Sequence, residues 1–124
     1  MSQDYSLFHI LKDYTIDLWK QQISLIRERH GLMQMIVHPD YIMDEATRRA
    51  YAELLAYLAD LRDRGETWIA LPAEVDAWWR VRSKLRLVRE DGSWRIRGKG
   101  AEKAQLAYAK LINGKLTYVL DPIA

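Results

Sequence analysis

Apolar residues recur at helical spacing along two stretches of the chain. Between residues 14 and 30, Ile16, Trp19, Ile23 and Ile26 share one face while Asp17, Lys20, Gln21 and Arg27 take the others, which predicts an amphipathic helix. Asp13 or Thr15 suits its start, and Gly31, directly after Arg29 and His30, suits its end. A clearer helix opens at or just before Asp44 and carries Tyr51, Leu54, Leu55, Leu58 and Leu61 at i, i+3, i+4 and i+7 until Gly65. Between the two, Leu32-Met33-Gln34-Met35-Ile36-Val37 is a nearly continuous apolar run, the pattern of a strand buried on both faces, and His38-Pro39-Asp40 ends it. Thr67-Trp68-Ile69-Ala70-Leu71 predicts a second such strand, with Pro72 opening a third helix that contains Val75, Trp78 and Trp79. Two strands separated by a helix of this length predict a parallel pair with a right-handed crossover.

After about Ser83 the period changes. Residues 85–88 and 94–96 flank Asp91-Gly92, and residues 106–112 and 116–120 flank Asn113-Gly114, dipeptides that supply the positive φ angles of tight hairpin turns. Residues 101–110 also have good helix propensity, so the approach to the second hairpin stays open between helix and strand. The expected fold class is α/β: a partial β/α, barrel-like unit with parallel strands over residues 1–83, then an antiparallel hairpin region over 84–124, packed as one compact unit.

Composition narrows the chemistry more than the fold. The 124 residues carry a formal charge of +2, too little for a polyanion-binding surface without a clustered patch, so neither nucleic acid nor membrane is an expected partner. The absence of cysteine excludes disulfides, thiolate metal sites and thiol nucleophiles. No stretch reaches the roughly 18 to 20 apolar residues of a membrane-spanning helix. The first residues have neither the basic nor the apolar region of a signal peptide, which favours a cytoplasmic location.

No phosphate loop, nucleophile elbow or dinucleotide fingerprint occurs, and His9, His30 and His38 lack the i, i+3 or i+4 spacing that would put two imidazoles on one helix face. Acidic pairs such as Asp60 and Asp63 read as a solvated helix face, and Glu74 as a helix cap. His38 stands apart, because it ends an apolar strand that precedes a crossover helix, the edge where β/α folds collect catalytic side chains; the plainer alternative is a histidine that only bonds at a strand end. Asp40 carries the same choice between pocket residue and turn former. Trp19, Trp79 and Trp68 read mainly as core. Arg80, Arg82, Lys84, Arg86, Arg89, Arg95, Arg97 and Lys99, with Trp94 interleaved, form a basic stretch that would suit an anion or serve as a solvated sheet face.

His38-Pro39-Asp40, the helix ending Leu61-Arg62-Asp63-Arg64-Gly65, and Thr67-Trp68-Ile69-Ala70-Leu71-Pro72-Ala73-Glu74-Val75 together resemble the closing portion of the polysaccharide deacetylase (NodB-homology) family, over about residues 14–82. The tail with Trp78-Trp79-Arg80 and Gly92-Ser93-Trp94-Arg95-Ile96 is similar to a β region appended in some of its members. The resemblance implies a partial (β/α) barrel and hydrolysis of acetyl groups from sugars with a divalent, zinc-like metal, an aspartate base and a histidine acid. His38 aligns with the family histidine that protonates the leaving group, and Asp40 and Trp68 take the place of pocket walls contacting the carbohydrate. Pro39 stands between His38 and Asp40 where many relatives have His-Asp directly. No His-x-x-x-His occurs and little sequence precedes His38, so no metal ligand is assigned. The chain is thus expected to be the C-terminal part of a larger hydrolase and inactive alone. The alternatives are a non-catalytic glycan- or protein-binding module built on the Arg86, Trp94, Arg95 and Arg97 hairpin, and a structural domain whose open edges meet a second copy or a missing N-terminal half.

Overall fold

The structure, a computed structural model, describes residues 1–121 and divides into two compact units, Met1–Ile69 and a second beginning at Ala70. The first contains a π-helical turn, Tyr5–Ile10, helix α1, Asp17–Glu28, a short 3-10 helix, Pro39–Tyr41, and helix α2, Glu45–Asp63. Ile16, at the head of α1, joins Trp19 and Ile23 and, from α2, Ala50, Leu54 and Leu61, in burying the face the sequence marks as apolar. Leu7 and Phe8 of the π-helical turn complete this core. At the start of α2 the Asp44 carboxylate accepts from the backbone N–H of Thr47 at 3.0 Å and from its hydroxyl at 2.9 Å, closing one of the open donors of the first turn. The start of α1 has no such side-chain cap; the Asp13 carboxylate instead accepts from Thr15 N–H and hydroxyl, so the chain turns before it enters the helix.

The N-terminal residues are tied to α1. The Ser2 N–H donates to Gln22 Oε1 at 2.8 Å, the Gln22 amide donates to Ser2 Oγ at 2.7 Å, and the Trp19 indole N–H donates to the Ser2 carbonyl at 3.0 Å. These three bonds hold Ser2 on α1, two residues before the buried Asp4.

The two expected parallel strands are corrected. Residues 32–37 and 67–71 belong to no sheet, and among the described residues no barrel-like parallel unit forms. Residues 32–37 do alternate, with Leu32, Gln34 and Ile36 exposed and Met33, Met35 and Val37 half-buried; Met33 and Met35 pack on the core. The run is one-sided rather than buried on both faces. Its main chain makes no hydrogen bond to another main chain among the described residues, and without a neighbour an extended segment has no ladder.

The second unit opens with helix α3, Pro72–Arg82, so that helix groups with the hairpins rather than with the preceding elements. Pro72 is its first residue, and the Glu74 carboxylate accepts from the Leu71 N–H at 2.7 Å, the capping role expected for it. Strands β1, Arg86–Glu90, and β2, Ser93–Arg97, pair antiparallel, as do β3, Ala107–Ile112, and β4, Lys115–Leu120. Both turns have positive φ at both central residues, 49° and 80° at Asp91-Gly92 and 51° and 77° at Asn113-Gly114, which matches the twist of the strands they join. The open question over 101–110 resolves into a 3-10 turn, Ala101–Lys103, followed by β3. Of the tryptophans read as core, Trp19 is buried, but Trp68 and Trp79 are 60% and 54% exposed; the Arg82 guanidinium lies 5.0 Å from the Trp79 ring centre.

Gly100 joins β2 to this turn with φ +88°, and a Cβ there would lie 2.7 Å from Val81 Cγ1 on α3. Gly100→Ala is expected to destabilise the second unit by about 1–2 kcal/mol from the left-handed backbone alone, with the steric contact added, measured as a lower midpoint in urea.

Candidate acid–base site

His38 precedes a proline, which disfavours helical backbone, and it takes extended angles of φ −108° and ψ 124°. The turn that follows, Pro39–Tyr41, reverses the chain so that Tyr41 packs back on the His38 ring with centroids 5.0 Å apart. The His38 ring Nδ1 lies 2.8 Å from Oδ1 of Asp4, and the His38 backbone N–H donates to Oδ2 of the same carboxylate. Asp4 is fully buried, and its Oδ1 also accepts from the Tyr5 N–H at 2.7 Å. Both carboxylate oxygens are therefore engaged, one of them by two donors.

Burial alone pushes the Asp4 carboxyl up, but the bonds from His38 N–H, the His38 ring and Tyr5 N–H outweigh it and hold the group below the ordinary carboxylate range. An ionised carboxylate only accepts, so chemistry assigns the proton of the neutral imidazole to Nδ1 and leaves Nε2 as the basic nitrogen. The His38 side chain is 41% exposed, and no hydrogen bond to Nε2 occurs among the described residues. A buried carboxylate behind Nδ1 and an open Nε2 in front form the arrangement that lets a histidine exchange a proton with a bound molecule while its ring stays oriented.

Aromatic rings border the pair. Tyr5 and His9, one turn apart in the wide π-helical turn, stack with centroids 5.3 Å apart at 21°. Tyr41 meets both, at 5.4 Å from Tyr5 and 4.8 Å from His9. Such one-turn π segments are frequent at functional sites.

Of the residues the sequence singles out, the structure brings His38 into this cluster. Asp40 lies exposed in the 3-10 helix, and Trp68 lies exposed near the end of the first unit; neither shares a hydrogen bond or ring contact with His38 among the described residues. Asp4, Tyr5, His9 and Tyr41 are the participants that sequence reasoning passes over. For Asp4 the only sequence signal is a carboxylate just before the apolar pair Leu7-Phe8, which is too common a pattern to be specific.

The divalent metal implied by the deacetylase resemblance does not fit these residues. Both Asp4 oxygens already accept hydrogen bonds, His38 offers Nε2 alone, and no group of three His, Asp or Glu side chains that could hold an ion is found among the described residues. No family model, curated protein or solved structure matches the chain.

Proposed function

We propose that His38 is the acid–base residue of a hydrolytic carbohydrate site of the polysaccharide deacetylase type. The observation that carries the proposal is the pairing of a fully buried Asp4 carboxylate with a His38 ring whose outer nitrogen is open. In the proposed step Nε2, once protonated, donates to the nitrogen or oxygen leaving an acyl carbon, and Asp4 stabilises the imidazolium and keeps Nδ1 turned inward. The carbohydrate assignment is supported by the resemblance around His38-Pro39-Asp40. Among the described residues no set of side chains for a metal stands beside His38, and on this reading His38 supplies the proton donor of a site that the chain alone does not complete.

Two measurements test this. In a nitrogen-15 NMR spectrum, neutral His38 is expected in the Nδ1–H form, and addition of N-acetylchitohexaose is expected to move its Nε2 and Cε1–H resonances. An Nε2–H form, or His38 signals that ignore the sugar in a folded protein, overturns the reading. Acetate release from the same oligosaccharide with added zinc is expected to be flat, and robust release lost in His38→Ala would show the chain to be complete.

A further inference from the structure

The rings beside His38 form a surface that the proton-transfer role does not use. His9 is exposed, Tyr5 is 44% exposed and Tyr41 is half-buried, although a cluster of three mutually touching rings could close over its own faces. The reason it stays open is local. The π-helical turn brings residue 9 almost directly over residue 5, so Tyr5 and His9 stack on each other, and the 3-10 turn after Pro39 delivers Tyr41 edge-on to His9, at 62°. Tyr41 touches both His9 and His38, and so stands between the stacked pair and the proton-exchanging ring. Beneath them Phe8 is packed in the core, stacked on Tyr14 and edge-on to Trp19, so the turn that carries Tyr5 and His9 is anchored rather than free.

We infer that His9 and Tyr41, backed by Tyr5, are the wall against which a neutral sugar ring lies when its substituent reaches His38. This rests on the reading of His38 as the acid–base residue of a carbohydrate site. The chemistry of the surface selects the ligand. Three adjoining rings present an apolar area, and the phenol hydroxyls and the imidazole give it a polar margin, which complements a pyranose with an apolar face and a hydroxyl rim. The fixed charges on the segments that build the wall are the carboxylates of Asp4 and Asp40, with no lysine or arginine in residues 4–10 or 38–41, so these segments bring no fixed cation to a phosphorylated or sulfated ring. A nucleotide is disfavoured on the same ground.

The role assigned to His9 is that of a flat ring, not of a proton donor, and this makes the inference separable from the function of His38. With N-acetylchitohexaose as the probe and calorimetry on the full chain, Tyr41→Ala and His9→Ala are each expected to weaken binding about tenfold, the size of a lost stacking contact. His9→Phe is expected to bind like the wild type. Tyr41→Leu, which keeps an apolar side chain in the turn, is expected to lose affinity like the alanine variant, so a loss is read against a protein whose near-ultraviolet circular dichroism is unchanged.

Wild-type affinity in both alanine variants, with the His38 resonances still responding to the sugar, overturns the wall and leaves the acid–base reading standing. Binding that follows the wall variants while the His38 resonances stay still overturns the acid–base reading instead. Equal binding by His9→Ala and loss in His9→Phe contradicts the ring role, and displacement of the sugar by adenosine at equal concentration contradicts its assignment to carbohydrate. No binding of N-acetylchitohexaose at millimolar concentration overturns the inference outright, while the Nδ1–H form of His38 still tests the pair with Asp4.

Discussion

Trp19→Ala is expected to destabilise the first unit by about 3–5 kcal/mol, the range for deleting a large buried aromatic side chain. Trp19 is fully buried, meets Phe8 edge to face with centroids 5.7 Å apart, and donates its indole N–H to the Ser2 carbonyl. The substitution removes the packing and that bond together. It therefore reaches further than the core, because Ser2 is the anchor that holds the N-terminal segment on α1 and Asp4 lies two residues beyond it. The measurement is a urea titration of the full chain, followed by circular dichroism and by the His38 ring resonances. The expected result is an earlier midpoint for the first unit and loss of the His38 to Asp4 interaction at the same urea concentration. Trp19→Phe keeps most of the buried surface, gives up the indole N–H, and is expected to fall between the two. Trp79→Ala, at an exposed position, is expected to stay within about 0.5 kcal/mol of the wild type. Equal losses at positions 19 and 79 would contradict the assignment of the core.

The contrast between those two tryptophans shows how far the sequence speaks. Ile16, Trp19 and Ile23 repeat at the helical period and so do Leu54, Leu58 and Leu61, and a helix is a local object whose buried face is written in its own spacing; both helices are where the pattern puts them. The hairpins are equally local, because Asp-Gly and Asn-Gly dictate the turn and the turn dictates the register. A strand is different. Residues 32–37 have the composition and even the alternation of one, but a ladder needs a second strand, and nothing within the run specifies whether one lies alongside. Trp79 illustrates the same limit for burial, since its place on α3 says which neighbours share its face but not what covers that face.

The site divides in the same way. His38 is singled out in the sequence as the end of an apolar strand, and that strand does not form; its extended backbone instead suits the residue before Pro39. Asp4 is not legible, because it lies 34 residues away from His38 in the chain, and a pairing across that separation leaves no period to read. Tyr5 and His9 do stand at i and i+4, but the turn that carries them is only six residues long, and one such pair is too short a pattern to mark a helix face.

Asp4→Asn is the substitution expected to have the largest effect on the site itself. The carboxylate accepts three hydrogen bonds, from the backbone N–H groups of Tyr5 and His38 and from the His38 ring. An amide of the same shape has one acceptor oxygen, and its NH2 group must face at least one of those donors. A buried donor left without an acceptor costs about 1–3 kcal/mol, so a loss of that order is expected in the first unit. The His38 N–H follows a segment whose main chain makes no other main-chain bond, so Asp4 is its protector, and amide exchange at His38 is expected to accelerate to the rate of its neighbours in the variant. The pH dependence separates charge from shape. The Asp4 carboxyl is held below its ordinary value in the folded protein, so its contribution is fully present above the unfolded carboxyl value of about 4 and is lost as the pH falls through the lower, folded value. Asp44 and Glu90 are lowered as well and contribute in the same acid range, so it is the difference between the wild type and Asp4→Asn that isolates Asp4. That difference is expected to shrink below pH 4, as the wild-type carboxylate takes up its proton. A gap that does not change with acidification would mean that Asp4 acts through shape alone, and a His38 ring that keeps its Nδ1–H form in the variant would mean that the carboxylate does not orient it.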